Sequence, residues 1–314
     1  MQKNIARTAC DCGKALAKAV EIRYNEGDST KKSRRYLILM ELSETIRKME
    51  RSAVRLAIGG PAEEKAGASR FGGRPDVPEG FAWPSWPGED GGTHPLSFLA
   101  QFDCAALAPL DREGLLPKTG LLSFFYDAES QPWGFDPADR GCARVFWFED
   151  AALSPAPFPE NLEEESRFPA LGVSMREERS FPGWEDFCAA QPGGQDDADS
   201  FYEERAMLGA EDAENRSQLL GWPDVIQNSM PLECELVSRG HYLGGLWEDV
   251  SKEERLEAET RAVGEWRLLF QLDTVEAPGF ELMFGDCGRI YFYIREEDLK
   301  ARRFDRVWLI LQCC

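Results

Sequence analysis

The chain has 314 residues, with 36 Lys and Arg against 56 Asp and Glu, for a formal charge of −20. Such acidity excludes the basic face on which non-specific DNA or RNA binding rests, and a hydrophobic content of 43% excludes a disordered chain. There is no apolar run long enough for a transmembrane helix and the opening segment lacks the apolar core of a secretory signal, so a cytoplasmic protein without nucleic-acid or membrane partners is expected.

Charge is unevenly spread along the chain. Residues 1–60 carry a net +6, which leaves −26 for the remainder. A helix is expected from about residue 2 to 24, with Ile5, Cys12, Leu16, Ala19 and Ile22 on its apolar side. After a break at 25–29 comes a second seam. Leu39, Leu42, Ile46, Met49, Ala53 and Leu56 recur every three or four residues until Gly59-Gly60-Pro61. Residues 1–60 therefore read as a basic helical hairpin, set either against the acidic body or against another molecule.

From residue 61 on, Gly, Pro and aromatics become dense. Short apolar runs bounded by turn residues predict strands at 121–126, 143–148, 267–272, 289–294 and 306–311. Helices are expected at 196–215, as a solvated helix or flexible insertion, and at 251–261. Residues 154–159 read as an extended Pro-rich linker.

Nine cysteines, an odd number with no CxxC pair, read as reduced thiols. Neither a metal site nor a cofactor is expected. The two histidines, His94 and His241, sit in no motif, and no P-loop, GxGxxG or nucleophile elbow occurs. Whether a reaction is catalysed stays open at this level.

The most informative feature is an internal echo. Phe98-Leu99-Ala100-Gln101-Phe102-Asp103 resembles Leu268-Leu269-Phe270-Gln271-Leu272-Asp273. The run from Gly120 to Tyr126 matches that from Gly288 to Ile294, and Gly73-Arg74-Pro75-Asp76 matches Gly221-Trp222-Pro223-Asp224. Three echoes in one order predict a duplicated unit. Its halves are about 61–150 and 215–314, related by a pseudo-twofold axis and joined by an acidic, Pro-containing segment. Strand alternation puts Leu99, Gln101 and Asp103 on one face. A buried Gln must be hydrogen-bonded, so the paired Gln and Asp residues either pin turns within each half or converge on a polar pocket. The candidate cleft comprises Arg74, Asp76, Trp83, Gln101, Asp103, Trp222, Asp224, Gln227, Gln271, Asp273, Asp286 and Arg289. Trp83, in Trp83-Pro84-Ser85-Trp86-Pro87, belongs either to a recognition ledge or to the cover of a core edge.

Phe71-Gly72-Gly73-Arg74-Pro75-Asp76-Val77-Pro78, followed by Trp83-Pro84, the run from Pro95 to Gln101 and that from Leu116 to Phe125, resembles the YwqG-like family of bacterial proteins. Gly221-Trp222-Pro223-Asp224, Phe270-Gln271-Leu272-Asp273, Gly285-Asp286 and the run from Gly288 to Phe292 extend the similarity over about 70–314. The resemblance implies a strand-rich α+β domain of unknown function, with relatives near toxin and secretion loci and hence an immunity-type role. The expected function is non-enzymatic capture of a basic protein partner by electrostatic steering. The alternative is a small-ligand binder or enzyme that uses a polar cleft between the halves.

Overall fold

The computed structural model describes residues 29–314 apart from 64, 88–91, 150–151, 192–196, 211–215, 246 and 248–249. The helix expected at about 2–24, with Cys10 and Cys12, lies outside the described residues. Two compact units divide between Met40 and Glu41. Of the first, the helical backbone from Ser29 to Met40 is described.

Helix α1 (Ser29–Lys48) ends with Arg47 and Lys48 in its last turn, where cations suit the negative end of the helix dipole. The seam then breaks. Ala53 and Leu56 do not continue the helix but lie on strand β1 (Arg51–Pro61), so the expected helical arm is about a dozen residues too long. Its strand segment is buried from Ser52 through Leu56, because neighbours flank it on both edges and cover both faces.

Strands β2 (Arg70–Phe71), β3 (Asp76–Pro78), β4 (Ser85–Pro87), β5 (Thr93–Pro95) and β6 (Ser97–Asp103) follow, then helix α2 (Cys104–Leu107). Next come β7 (Leu121–Tyr126), β8 (Ala143–Phe148), β9 (Leu153–Pro155) and β10 (Leu171–Ser180). Helices α3 (Trp184–Ala190) and α4 (Ala198–Met207) lead to β11 (Gln218–Leu220), α5 (Pro231–Ser238) and α6 (Lys252–Glu265). The chain closes with β12 (Trp266–Leu272), β13 (Val275–Ala277), β14 (Phe280–Leu282), β15 (Arg289–Arg295), α7 (Glu296–Lys300) and β16 (Trp308–Gln312). The expected strands at 121–126 and 143–148 are met at both ends, and those at 267–272, 289–294 and 306–311 lie within two residues of the observed bounds. Ser251 caps α6, its hydroxyl accepting from the Glu254 N–H at 3.2 Å.

Two expectations change in character. Part of the 154–159 linker belongs to β9, which pairs antiparallel with β3. Helix α4, expected to be solvated or flexible, buries Phe201 against Phe187 and Trp184 at ring separations of 4.7 and 5.4 Å.

One ten-stranded antiparallel sheet organises an α+β fold, in the order β16-β15-β12-β11-β1-β10-β2-β6-β7-β8. Phe124 on β7 lies 5.3 Å from Phe292 on β15, and Phe102 on β6 lies 5.5 Å from Phe270 on β12. On a flat sheet, strands so far apart in the order would be separated by tens of ångströms, at about 4.8 Å per strand. The sheet therefore bends round on itself, nearly closed, with these phenylalanines in the inner core. On the outer face of β12, β15 and β16, Leu268, Tyr291, Tyr293, Trp308 and Ile310 pack with Leu236 and Val237 of α5 and Ala258 and Ala262 of α6.

The β6–β7 ladder skips Leu99, and the β12–β15 ladder skips Leu269. Each bulge inserts one residue and resets alternation. The uninterrupted alternation expected for Leu99, Gln101 and Asp103 is thus broken at Leu99. In β12 the same slip sends Leu268 to the outer core and Phe270 to the inner one.

Candidate functional site

The first cluster surrounds Asp76. Gly72 and Gly73 turn the chain after β2 with φ of +62° and +70°, and a Cβ on Gly72 would meet the Pro169 oxygen at 2.2 Å. This turn carries Asp76 back to Gln101, which stands opposite Arg70 in the β2–β6 register. The Asp76 carboxylate accepts from Gly67 N–H at 2.8 Å, Arg70 Nη1 at 2.8 Å and Gln101 Nε2 at 2.7 Å. Gln101 Oε1 accepts from Asp76 N–H at 2.9 Å, and Nε2 also donates to the Ala68 carbonyl at 2.9 Å. Burial alone would raise the Asp76 carboxyl, but Arg70, Gln101 and the Gly67 N–H outweigh it and hold the group below its ordinary range.

A second cluster repeats the turn with different charges. Asp224 N–H donates to Gln271 Oε1 at 2.9 Å, and Gln271 Nε2 donates to the Arg216 carbonyl. Here three arginines replace one. Arg55 reaches Asp224 at 3.3 Å, Arg216 pairs with its other oxygen, and Arg289 donates to its carbonyl at 3.3 Å. Arg289 also pairs with Asp273 at 3.1 Å, and Arg55 with Glu178 at 2.7 Å. Burial opposes ionisation of Asp224, yet Arg216, Arg55 and Arg289 keep its carboxyl low.

The remaining candidates are dispersed. Asp103 caps α2 through the Ala105 N–H at 2.9 Å, and Arg74 is exposed, its carbonyl accepting from Arg70. Trp83 donates to the Leu96 carbonyl at 2.9 Å and packs edge-on against Phe125 and Phe158, which puts it on the core edge. Gln227 donates to the Cys313 carbonyl at 2.8 Å, and the exposed Asp286 accepts at its carbonyl from Cys314 N–H. No hydrogen bond or ion pair among the described residues joins the Asp76 and Asp224 clusters. The paired Gln residues saturate their own turns.

Of the twelve, Trp222 lines a cavity of about 610 Å³ between the start of β1, the end of α3 and the second half of α6. Arg51 lies over its ring at 3.5 Å from the centroid. Sequence reasoning missed Arg51, since it falls in the stretch read as helix. Burial pushes its guanidinium down to about 10, with Arg267 adding repulsion. Near it electrostatically is Asp186 of α3, whose Oδ1 accepts from the Ser229 hydroxyl at 2.6 Å while Oδ2 has no partner. Tyr293 OH is likewise buried and unpartnered. Among the described residues no group of three or more His, Cys, Asp or Glu side chains could hold a metal ion. Burial pushes the Cys104 thiol up to about 12 and raises Cys142 and Cys234 as well, the opposite of thiolate activation.

Burial also pushes Asp186 and Glu233 up to about 7 each. Unfolded carboxyls titrate near ~4, so between about pH 4 and 7 the folded state holds protons that the unfolded state has released. The stability these groups contribute is present below ~4 and is lost as pH rises through ~7. Asp186→Asn mimics the protonated group. Thermal unfolding is expected to give similar Tm values for the variant and parent at about pH 4, a gap that opens above it, and a variant Tm several degrees higher at pH 8; a gap independent of pH would contradict the raised carboxyl.

The fold and its two saturated turns define a class: an α+β domain on a single curled antiparallel sheet. Comparison with family models identifies it, since residues 69–313 match the model for a domain of unknown function (DUF1963). The chain belongs to that family. No curated protein matches it.

Proposed function

We propose that this chain is a non-enzymatic cytoplasmic binding protein that captures a basic protein partner on an acidic face. One observation carries the reading. Glu160, Glu163, Glu164 and Glu165 are exposed on one segment, and Glu276 and Glu281 on the β13–β14 ribbon. The Phe168–Phe280 contact, 5.8 Å between ring centroids, holds the two segments together. None of the six makes an ion pair among the described residues, and Glu276 stands directly opposite Glu281. Like charges so opposed are unfavourable, and a cationic partner relieves them. An immunity-type role, suggested by the YwqG-like resemblance, fits such capture.

The test is a pull-down with the full chain and a Glu163→Lys/Glu164→Lys/Glu276→Lys variant. The parent is expected to retain a basic protein at low salt and release it at high salt, and the variant to lose it. A partner held equally by both, or none that responds to salt, counts against the reading.

We further infer that the sheet arose by duplication. Supporting this are the matching bulges at Leu99 and Leu269 and the matching Asp N–H to Gln Oε1 bonds, both 2.9 Å. Two seryl oxygens, Ser69 and Ser217, accept from Asp103 and Asp273 N–H in the same way. Leu220 adopts φ +59° where Gly72 has +62°. The strand order also mirrors about the β1–β10 pair, whose Ala57–Ser174 contact would lie on the axis. Superposing 69–76, 98–103 and 120–126 on 217–224, 268–273 and 288–294 is expected to need a rotation near a half-turn; any other rotation removes the inference.

A further inference from the structure

We propose that the cavity at Arg51 and Trp222 binds a small organic carboxylate, with its charged head on Arg51 and its apolar body along α3 and α6. This is independent of the acidic face and uses none of its residues.

The charge inventory of the cavity wall leads to Arg51. Glu50 pairs with Arg179 at 2.6 Å, Glu259 with Arg255 at 2.9 Å, Arg267 with Glu296 at 2.6 Å and Lys48 with Glu44 at 3.6 Å. Glu113 accepts from the Ser52 N–H at 2.8 Å. Arg51 is the one charged side chain of the lining with neither a hydrogen bond nor an ion pair among the described residues. A half-buried cation with no hydrogen-bonded counter-ion is unfavourable, because burial strips part of its hydration. Stacking on Trp222 returns only part of that loss. The fold nevertheless holds the pair rigidly, for Trp222 Nε1 donates to the Met49 carbonyl at 2.6 Å and its N–H to Ser180 Oγ at 2.8 Å. Asp186 and Glu113 act on Arg51 only through space, so its guanidinium donors stay unfilled, and donors held on a fixed platform are preorganised for an anion.

The surroundings select which anion. Ala189, Ala190, Val263 and Gly264 supply a smooth, largely apolar wall, and about 610 Å³ falls within the usual small-molecule range of ~300–1,000 Å³. Arg51 is the one cation of the lining with unfilled donors among the described residues, and Glu50, Glu113 and Glu259 add negative charge to the wall, so a dianionic phosphate is disfavoured. A carboxylate presents two oxygens to the planar guanidinium fork. The unpartnered Tyr293 hydroxyl and Asp186 Oδ2 lie outside the lining but within electrostatic reach of Arg51.

The experiment titrates the full chain with acetate, benzoate and octanoate, with octylamine and inorganic phosphate as comparisons, followed by Trp fluorescence and calorimetry. Arg51→Met keeps the side-chain length and removes the charge. Benzoate or octanoate is expected to bind the parent more tightly than acetate does, with no binding of octylamine or phosphate. Arg51→Met is expected to bind roughly tenfold or more weakly and to unfold at a higher temperature than the unliganded parent, since an unpaired charge has gone. A purely structural Arg51 would give the opposite Tm shift. Failure of all three carboxylates, equal binding by Arg51→Met, preference for phosphate, or a lowered variant Tm would each overturn the proposal.

Discussion

Replacing Asp76 by alanine is expected to lower the free energy of unfolding by about 3–5 kcal/mol, the range for removing one partner of a buried ion pair. Asp76 is 1% exposed and takes three donors on one carboxylate oxygen, so the substitution strands Arg70, Gln101 and the Gly67 N–H together. Among the described residues Arg70 pairs with no second carboxylate. Asp224→Ala should be less severe despite its three arginines, because Arg55 keeps Glu178 and Arg289 keeps Asp273. Urea denaturation of both variants at pH 7 measures the order, and a larger loss for Asp224→Ala would contradict it. Asp76 has its folded carboxyl held below the ordinary value. Its contribution is therefore present above ~4 and fades as pH falls through the folded value, so the gap between parent and Asp76→Ala should narrow in acid.

Gly134→Ala should be comparably damaging for a steric reason. Gly134 has φ +81°, and an added Cβ would lie 1.8 Å from the Leu309 carbonyl oxygen, well inside contact distance. The segment covers the edge strand β16: Trp133 accepts from Leu311 N–H at 3.0 Å, and the Gly134 carbonyl accepts from Trp308 Nε1 at 2.9 Å. Forcing it away would cost about 3 kcal/mol or more and expose a strand edge prone to intermolecular pairing. Gly80 supplies the control. Its φ is +77°, but nothing lies within 4 Å of its added Cβ, so Gly80→Ala should cost about 1–2 kcal/mol, the conformational term alone. Equal Tm losses for the two would show that the close approach to Leu309 is unimportant.

Strands β7 and β8 could be read from sequence to the residue because each apolar run is framed by turn residues. Helix α6 could be read because Ser251 sits where a cap belongs. Strand β1 could not. Buried on both faces between β10 and β11, it lost the alternation that marks a half-exposed strand, and its Ala53 and Leu56 fell into a false continuation of the helical seam. The Gln–Asp pairs were visible as residues, but whether they pinned turns or lined a pocket depended on where the chain returned after Gly72-Gly73 and Gly221. Arg51 carried no local signal at all. Its isolation depends on ion pairs that Glu50, Glu259 and Arg267 make with residues distant in sequence or on neighbouring turns.

Composition, turn chemistry and the echoed motifs thus determined a strand-rich α+β body and its main segments, since those depend on local backbone preference and on apolar period. Tertiary structure alone decided that the sheet curls round a phenylalanine core, that the echoed Asp and Gln groups are consumed by their own turns, and that one cation without an ion pair lines a cavity. Pairing of charges is a matter of distance in space, and no spacing along the chain encodes it.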